Sequence, residues 1–427
     1  MEIDRVGEVI TFFSYKGGTG RTMALANVAW ILASQGKRVL MVDWDLEAPG
    51  LQRFFHPFIE SELLDGTDGV VDILMDYARA ATQQNERPEN WHLPFARVMP
   101  HAVSLDWAFP GDGTLDIIPA GRPGRGYSNA LAGFQWDNFY HRLGGGQLFA
   151  AMRDDMRRNY DYTLIDSRTG LSDIAGICTV RFPDTVVDCF TLSTLSIEGA
   201  AAVARSIDEQ QDRDIRILPV PMRVEDGEQS KLENGRALAR SAFAGFPRDL
   251  PKDDQLRYWG EVEIPYKPYY AYEETLATFG DEPRLANSLL SSYERLTAVL
   301  TRGDVREFPS LPDGLRQRYA QVFERRRSVI TPDVFLSYTP EDRVWADWIG
   351  QVLEQAGVNV IAHGMGYSAG ADVTTEVREA VAAAGKTIVL LSNAYVRSSR
   401  AHAVWETLAA TESSRIKRSL TKEMLQR

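Results

Sequence analysis

A glycine-rich turn near the start of the chain constrains the fold more than any other feature. Residues 9–14 form an apolar or β-forming run, residues 15–22 read YKGGTGRT, and residues 23–33 have the composition of a buried helix. Glycines let the backbone approach an anion closely, and the free amides of a first helical turn can donate hydrogen bonds to it. This succession predicts a phosphate-binding loop between a strand and a helix.

Acidic residues follow two further apolar runs. Asp43 ends the predicted strand over residues 37–43, Asp45 follows it, and Asp166 ends the predicted strand over residues 162–166. The carboxyl ends of parallel strands meet at one edge of a sheet, where ligands bind. We therefore expect the Thr22 hydroxyl to bind Mg²⁺, Asp166 to hold it through water, and Asp43 to face the same crevice.

The rest of the pattern alternates strands with helices, which predicts an α/β fold with a parallel sheet covered on both faces. A helix is expected near residues 147–158, and residues 56–113 read as an irregular insertion with one or two helices. The further predicted strands, all short apolar runs, are residues 115–120, 162–166, 185–191 and 215–220.

A length of 427 residues exceeds what one core usually supports. We predict a nucleotide-binding domain over residues 1–303, a polar linker with a helix over 304–331, and a smaller α/β domain over 332–427. In that second domain, strands are expected at 334–338, 358–362 and 387–392, and helices at 340–356, 373–384 and around Trp405.

Composition predicts the cellular compartment of the protein. No apolar run approaches the roughly 20 residues of a membrane helix, and the start lacks the pattern of a signal peptide. Cys178 and Cys189 lie in apolar surroundings and are interpreted as reduced, buried thiols. These features predict a cytoplasmic protein, and a net charge of -12 makes nucleic-acid binding unlikely.

With these motifs in place, residues 7–300 resemble the deviant Walker A ATPases of the ParA, MinD and nitrogenase iron protein group, whose signature is KGGxGKT. The resemblance implies ATP and Mg²⁺ as cofactors and a face-to-face homodimer formed through the ATP site. It further implies that Lys16 reaches the partner's ATP, that Asp45 polarises the attacking water, and that Asp166 is the Walker B acid.

The same resemblance assigns the other site residues. Metal binding falls to Thr22, Asp43 and Asp166, and Pro265 and Tyr266 match the stretch that closes over the base, ahead of Glu273 and Glu274. The phosphate contacts would come from a continuous stretch: Lys16, Gly17, Gly18, Thr19, Gly20, Arg21, Thr22 and Met23.

Two arginines depart from the common family pattern. Arg21 stands where the signature has lysine, as in the variant written KGGVGR, and its planar fork is not interchangeable with an ammonium. We expect ATP binding to survive this change and hydrolysis to be slow. Arg168 follows the Walker B strand, and it reads equally well as a switch residue or as a surface arginine in a loop.

Residues from Asp333 onward resemble a TIR domain, a flavodoxin-like α/β unit. The resemblance rests on residues 333–338, on the tryptophans at 345 and 348, and on residues 389–392 with Tyr395 and Ser398. TIR domains either assemble as signalling adaptors or cleave NAD⁺, and Glu406 matches the place of the catalytic glutamate in the enzymes. The last two strands of the fold have no counterpart before residue 427, so we expect an incomplete or degenerate TIR unit, or a piece of a longer protein with NB-ARC and tetratricopeptide regions.

Three functions remain open at this point. The leading hypothesis is an ATP-dependent, dimerising switch that presents TIR units to each other or to other proteins in bacterial signalling or defence. An alternative is a TIR NAD⁺ glycohydrolase that the ATPase regulates, with Glu406 as its catalytic residue and NAD⁺ as its substrate. A second alternative is a DNA-partitioning ATPase, which the acidic net charge disfavours.

Overall fold

The computed structural model describes residues 6–83, 88–122, 127, 131–170, 176–210, 213–225, 227–272, 274–325, 334–355, 358, 360–364 and 386–398. The chain forms two compact units, Met1–Glu324 and Arg325–Arg427. None of the described helices is both long and apolar enough to cross a membrane.

The first unit is built on a seven-stranded sheet in the order β3-β4-β2-β5-β1-β6-β7. Its strands are β1 (Glu8–Phe13), β2 (Arg38–Trp44), β3 (Val103–Ser104), β4 (Thr114–Ile118), β5 (Tyr162–Ser167), β6 (Thr185–Phe190) and β7 (Arg216–Pro221). All pairs are parallel except β3 with β4. The predicted parallel α/β sheet is confirmed, and the antiparallel edge strand β3 is an addition to it.

Twelve helices of the first unit are described. They are α1 (Arg21–Ser34), α2 (Ser61–Gly66), α3 (Val70–Gln83), α4 (Trp136–His141), α5 (Gly145–Asn159), α6 (Thr194–Glu209), α7 (Gln229–Ala242), α8 (Lys252–Glu261), α9 (Tyr269–Tyr272), α10 (Ala277–Gly280), α11 (Leu289–Leu300) and α12 (Asp313–Arg325). Short 3-10 turns lie at 51–55, 93–96 and 99–101, and a π-helical turn spans Ile177–Arg181. The insertion expected at 56–113 contains α2, α3, two of the 3-10 turns and β3.

Alternate residues of the strands enter two separate cores. In β2, Val39 and Met41 pack in one core, and Leu40 and Val42 pack in the other. This period of two is what a sheet buried on both faces requires. Helix α1 packs against α11 on the first face, and α3 and α5 contribute to the core on the second face.

Helix α1, which follows the glycine turn, is buried almost along its whole length. Trp30 packs against the rings of Phe58 and Phe279, with centroids 4.7 and 5.2 Å away. The buried Asn27 side chain accepts a hydrogen bond of 2.7 Å from the backbone amide of Ala277. The helix that positions the glycine turn is therefore held by packing as well as by a polar contact to α10.

Helix α12 lies in the segment that the sequence suggested as a linker. The Tyr319 ring stacks on Phe58 at 5.1 Å, and Phe323, 3% exposed, packs on both Phe58 and Phe279. This helix therefore completes the aromatic core around Trp30. The domain limits 1–303, 304–331 and 332–427 stay a prediction.

The second unit contains a three-stranded parallel sheet in the order β10-β8-β9. Its described elements are β8 (Val334–Tyr338), α13 (Arg343–Gln355), β9 (Val360–Gly364), β10 (Lys386–Val389) and α14 (Asn393–Arg397). The three predicted strands are present, and the smaller α/β unit is confirmed. The predicted helix at 373–384 and the segment around Trp405 lie outside the described residues.

Candidate nucleotide site

The glycine turn connects β1 to α1 at the carboxyl edge of the sheet. Gly18 and Gly20 have φ angles of 74° and 93°, in the left-handed region that favours glycine. Gly20 precedes the first residue of α1, and no side chain caps that helix end. Its first amides are therefore available to an anion, as the phosphate-loop prediction requires.

A cavity of about 560 Å³ opens beside this turn. Gly17 to Met23 line one end of it, and Pro265, Tyr266 and Tyr270 line another part. Its volume is in the range of small-molecule and cofactor sites, which span about 300–1,000 Å³. The structure thus brings the predicted phosphate residues Gly17 to Met23 and the predicted base residues Pro265 and Tyr266 into one cavity.

Arg21 lies in the centre of the acidic residues rather than at the rim of the cavity. Its side chain is 5% exposed; Nε donates to Asp166 at 2.5 Å, and Nη2 donates to Asp45 at 2.9 Å. A third nitrogen, Nη1, is 3.4 Å from the Ser14 hydroxyl. Although burial opposes the charge, the carboxylates of Asp166 and Asp45 leave the pKa of Arg21 above its usual value. One buried fork therefore binds the two carboxylates assigned to metal binding and water activation.

The Thr22 hydroxyl donates to the other oxygen of Asp166 at 2.7 Å. Complete burial raises the pKa of Asp166, and the charge of Arg21 and the bond from Thr22 oppose that rise. The register of the sheet places Asp166 beside Asp43 on the neighbouring strand. Thr22 and Asp166, both predicted metal residues, are thus already in direct contact.

Asp43 is fully buried and its oxygens are engaged by the backbone. It accepts hydrogen bonds from the amides of Asp45, Gly50 and Leu51 at 3.1–3.2 Å. Burial, followed by the charge of Asp166, raises the pKa of Asp43 to about 7, and the bonds from Leu51 and Gly50 oppose the rise. These contacts shape the loop that carries Asp45; a metal-binding role for Asp43 stays a prediction.

The donor set fits Mg²⁺ bound together with a nucleotide. Among the described residues, no group of three or more His, Cys, Asp or Glu side chains could hold a metal ion. Mg²⁺ is commonly held by one or two carboxylates, waters and substrate phosphates rather than by an all-protein cage. A hydroxyl and a carboxylate at 2.7 Å, Thr22 and Asp166, beside a phosphate loop match that mode.

Two further arginines frame the cavity. Arg168 forms an ion pair of 2.7 Å with Glu47, so the loops that follow β5 and β2 are joined. Arg223, which the sequence did not single out, donates to the carbonyl oxygen of Gly18 at 2.8 Å and lies 4.6 Å from the Tyr266 ring centroid. Its φ of 54° is unusual for a residue other than glycine, and only the fold brings residue 223 next to residue 18.

The remaining predicted residues stand apart from this constellation. Lys16 is half-buried and is absent from the lining of the cavity. No hydrogen bond or ion pair joins its ammonium to another described residue. Glu273 and Glu406 lie outside the described residues. The roles of Lys16, Asp45 and Glu406 in catalysis therefore stay predictions.

Comparison with known families decides the class of this site. Residues 10–320 match the model of the CobQ/CobB/MinD/ParA nucleotide-binding domain. The chain belongs to this nucleotide-binding family. Residues 334–421 match the model of the TIR domain, so a TIR unit follows the nucleotide-binding domain. Both resemblances that the sequence suggested are confirmed.

One curated relative matches a short part of the chain. An uncharacterized ATP-binding protein of Methanocaldococcus jannaschii is 43% identical over 49 residues, which is 12% of this chain and 19% of that protein. This chain therefore matches about a fifth of that relative's length.

Two solved structures of the nucleotide-binding class also resemble the chain. The apo McdA structure from Cyanothece is 17% identical, covers 69% of this chain and 99% of its own, and has a TM-score of 0.46. The septum site-determining protein MinD of Pyrococcus horikoshii, solved with Mg-ADP, is 16% identical, covers 70% and 98%, and has a TM-score of 0.45.

Proposed function

We propose that this protein is an ATP- and Mg²⁺-dependent switch that dimerises through its nucleotide site and brings TIR units together. The observation that carries the proposal is the buried fork of Arg21 between Asp45 and Asp166, next to a phosphate loop and a cavity of about 560 Å³. The glycine turn, the contact of Thr22 with Asp166, and Asp45 support the proposal, because a metal-assisted hydrolase needs a phosphate site, metal ligands and a carboxylate that orients water.

Binding begins at the glycine turn. The uncapped amides of α1 receive the phosphates, and Tyr266 and Pro265 enclose the base. Bound Mg²⁺ would neutralise charge on the phosphates, with the Thr22 hydroxyl as its protein ligand and Asp166 holding it through water. Since Asp166 accepts from both Arg21 and Thr22, binding a cation there reorganises the Arg21 fork.

Hydrolysis needs a carboxylate that is free to orient water. Asp45 is bound by Arg21 at 2.9 Å, and in that state one of its oxygens is occupied. Slow turnover follows, because Arg21 must release Asp45 and contact phosphate before water can be positioned. Lys16 is half-buried and outside the cavity lining, which suits a residue that acts across a dimer interface.

Dimerisation would then act on the TIR unit. Each nucleotide-binding domain carries one TIR unit, so a dimer raises the effective concentration of the second unit to the millimolar range when the connection is short. The TIR units would then contact each other or a shared protein partner. The nucleotide state of the first unit would set when this happens.

Calorimetric titration with ATP, with and without Mg²⁺, tests the proposed site. We expect binding by the wild type that is tighter with Mg²⁺, and loss of this magnesium effect in Thr22→Ala, because the variant lacks the hydroxyl bound to Asp166. Thr194→Ala, at the start of α6 and outside the cavity lining, serves as the matched control. No heat of binding in the wild type at millimolar ATP would refute the proposal.

A further inference from the structure

A second cavity of about 290 Å³ lies at the opposite edge of the sheet from the nucleotide site. It is enclosed by α5, by the π-helical turn Ile177–Arg181, by the end of α6 and by the residues that lead into β7. Three guanidinium groups line it, those of Arg153, Arg181 and Arg213, and Asp154 is the one acidic residue in the described lining. Such an excess of positive charge is unexpected in a chain of net charge -12.

The contacts of the arginines differ. Arg153 donates to the Phe182 carbonyl oxygen at 2.8 Å and forms an ion pair with Asp184, which is also 3.6 Å from Arg157. Arg153 is therefore neutralised in part, but its one carboxylate partner is shared between two cations.

Arg213 donates from a single nitrogen, Nη2, to the carbonyl oxygens of Val180 and Arg181, both at 2.7 Å. These bonds tie Arg213 to the last two residues of the π-helical turn. The guanidinium of Arg181 lies over the Tyr140 ring, 5.2 Å from its centroid. Neither Arg181 nor Arg213 forms an ion pair with any acidic residue in the described part of the chain.

Burial and the neighbouring arginines both disfavour the charged form of Arg213. Burial, followed by the charge of Arg153, lowers the pKa of Arg213; Arg181 and Arg157 act in the same direction, and Asp184 opposes them. The protonated guanidinium is thus held in an unfavourable field. An anion between Arg181 and Arg213 would relieve that repulsion.

In a neighbouring cavity, of about 430 Å³, carboxylates balance the positive charges of the arginines; we call this the compensated cavity. It is lined by four arginines and four acidic residues, and each arginine has a carboxylate partner. The pairs are Arg157 with Asp184, Arg216 with Asp249, Arg248 with Asp208, and Arg302 with Glu8. Among the described residues, Arg181 and Arg213 of the smaller cavity have no such carboxylate partner, and Arg153 shares Asp184 with Arg157.

We propose that this smaller cavity binds a small phosphate-bearing anion through Arg181 and Arg213. Guanidinium groups match the oxygens of phosphate in geometry and charge, and two of them line this cavity with an aromatic ring beside one of them. A volume of about 290 Å³ admits a group the size of pyrophosphate and excludes a nucleic-acid duplex. The site is separate from the phosphate loop and does not require ATP-driven dimerisation.

The test is a calorimetric titration of the full chain with pyrophosphate in magnesium-free and nucleotide-free buffer, fitted with one class of site for the phosphate loop and a second class for this cavity. We expect saturable binding by the wild type and at least tenfold weaker binding by Arg181→Gln and by Arg213→Gln. Arg302→Gln, in the compensated cavity, is the matched control and should bind as the wild type does.

Arg181 is exposed and Arg213 secures the backbone, so the two variants separate binding from folding. If Arg213→Gln unfolds, Arg181→Gln alone decides the result. Equal affinity in wild type and Arg181→Gln would overturn the proposal, as would no binding at millimolar pyrophosphate. If Arg302→Gln weakened binding by the same factor, the effect would come from the net charge of the protein rather than from this cavity. That result would overturn the proposal as well.

Discussion

The Arg21 side chain contacts two acidic residues of the nucleotide site, Asp45 and Asp166. The family signature has lysine where this chain has Arg21, so this difference was visible in the sequence. The acidic residues at the strand ends predicted that Asp45 and Asp166 lie in the same site. The sequence could not predict that one guanidinium contacts both carboxylates, because the contact depends on the distance between β2 and β5 and on side-chain geometry. The contact of Arg21 with Asp45 is the basis of the proposed slow hydrolysis.

Removing the charge of Arg21 should destabilise the fold. In Arg21→Ala, Asp166 stays buried without its cation, and breaking a buried pair in this way costs about 3–5 kcal/mol. We expect that loss in urea unfolding of the nucleotide-free protein. Arg168→Ala removes the exposed pair with Glu47 and should cost less than about 1 kcal/mol. Equal losses in the two variants would contradict the account of Arg21.

The buried carboxyl group of Asp188 should make the stability of the fold depend on pH. Its carboxylate is 1% exposed, neither oxygen has a hydrogen-bond partner among the described residues, and burial raises its pKa well above the usual range. The folded state therefore keeps a proton that the unfolded state loses near pH 4. The contribution of Asp188 to stability is present below that pH and is lost as the pH rises towards its folded pKa.

Asp188→Asn removes this titration. We expect the free energy of unfolding of the variant, relative to that of the wild type, to rise with pH above 4 by at most about 1.4 kcal/mol per pH unit. Urea unfolding at a series of pH values measures this difference. Parallel curves for the two proteins would show that Asp188 has the same proton occupancy in both states.

At the scale of elements, apolar runs and turn residues were sufficient to predict the parallel strands of both sheets. The phosphate loop could be located in the sequence because it ends in a glycine and is followed by the apolar run of α1. In the structure this glycine, Gly20, has a left-handed φ, and α1 is buried. Strand β3 has only two residues, too few for a periodic pattern. Helix α12 was expected from its sequence, but its packing on Phe58 was not, because Tyr319 and Phe58 are 261 residues apart in the sequence.

The position of α12 predicts how fragments behave. A fragment of residues 1–325 retains Tyr319 and Phe323 on the aromatic core, whereas a fragment of residues 1–303 exposes Phe58 and Phe279. We expect the longer fragment to unfold cooperatively at a higher temperature, since losing one buried phenylalanine alone costs about 3–5 kcal/mol. Calorimetric unfolding of both fragments measures this. Equal melting temperatures would place α12 outside the first folding unit.

At the scale of the whole molecule, the chain joins a nucleotide-binding domain to a TIR unit. The order of motifs along the sequence predicted this arrangement. The basic cavity at the opposite edge of the sheet carried no such signal, because Arg153, Arg181 and Arg213 belong to three separate segments that only the topology assembles. Function at this scale depends on whether ATP controls the association of two chains.

Light scattering of the full chain, with and without ATP and Mg²⁺, measures whether nucleotide binding causes two chains to associate. We expect the wild type to be monomeric without nucleotide and dimeric with ATP and Mg²⁺. Lys16→Ala should stay monomeric in both conditions, and Lys231→Ala, an exposed lysine on α7, should behave as the wild type does. A wild-type protein that remains monomeric with saturating ATP and Mg²⁺ would contradict the switch.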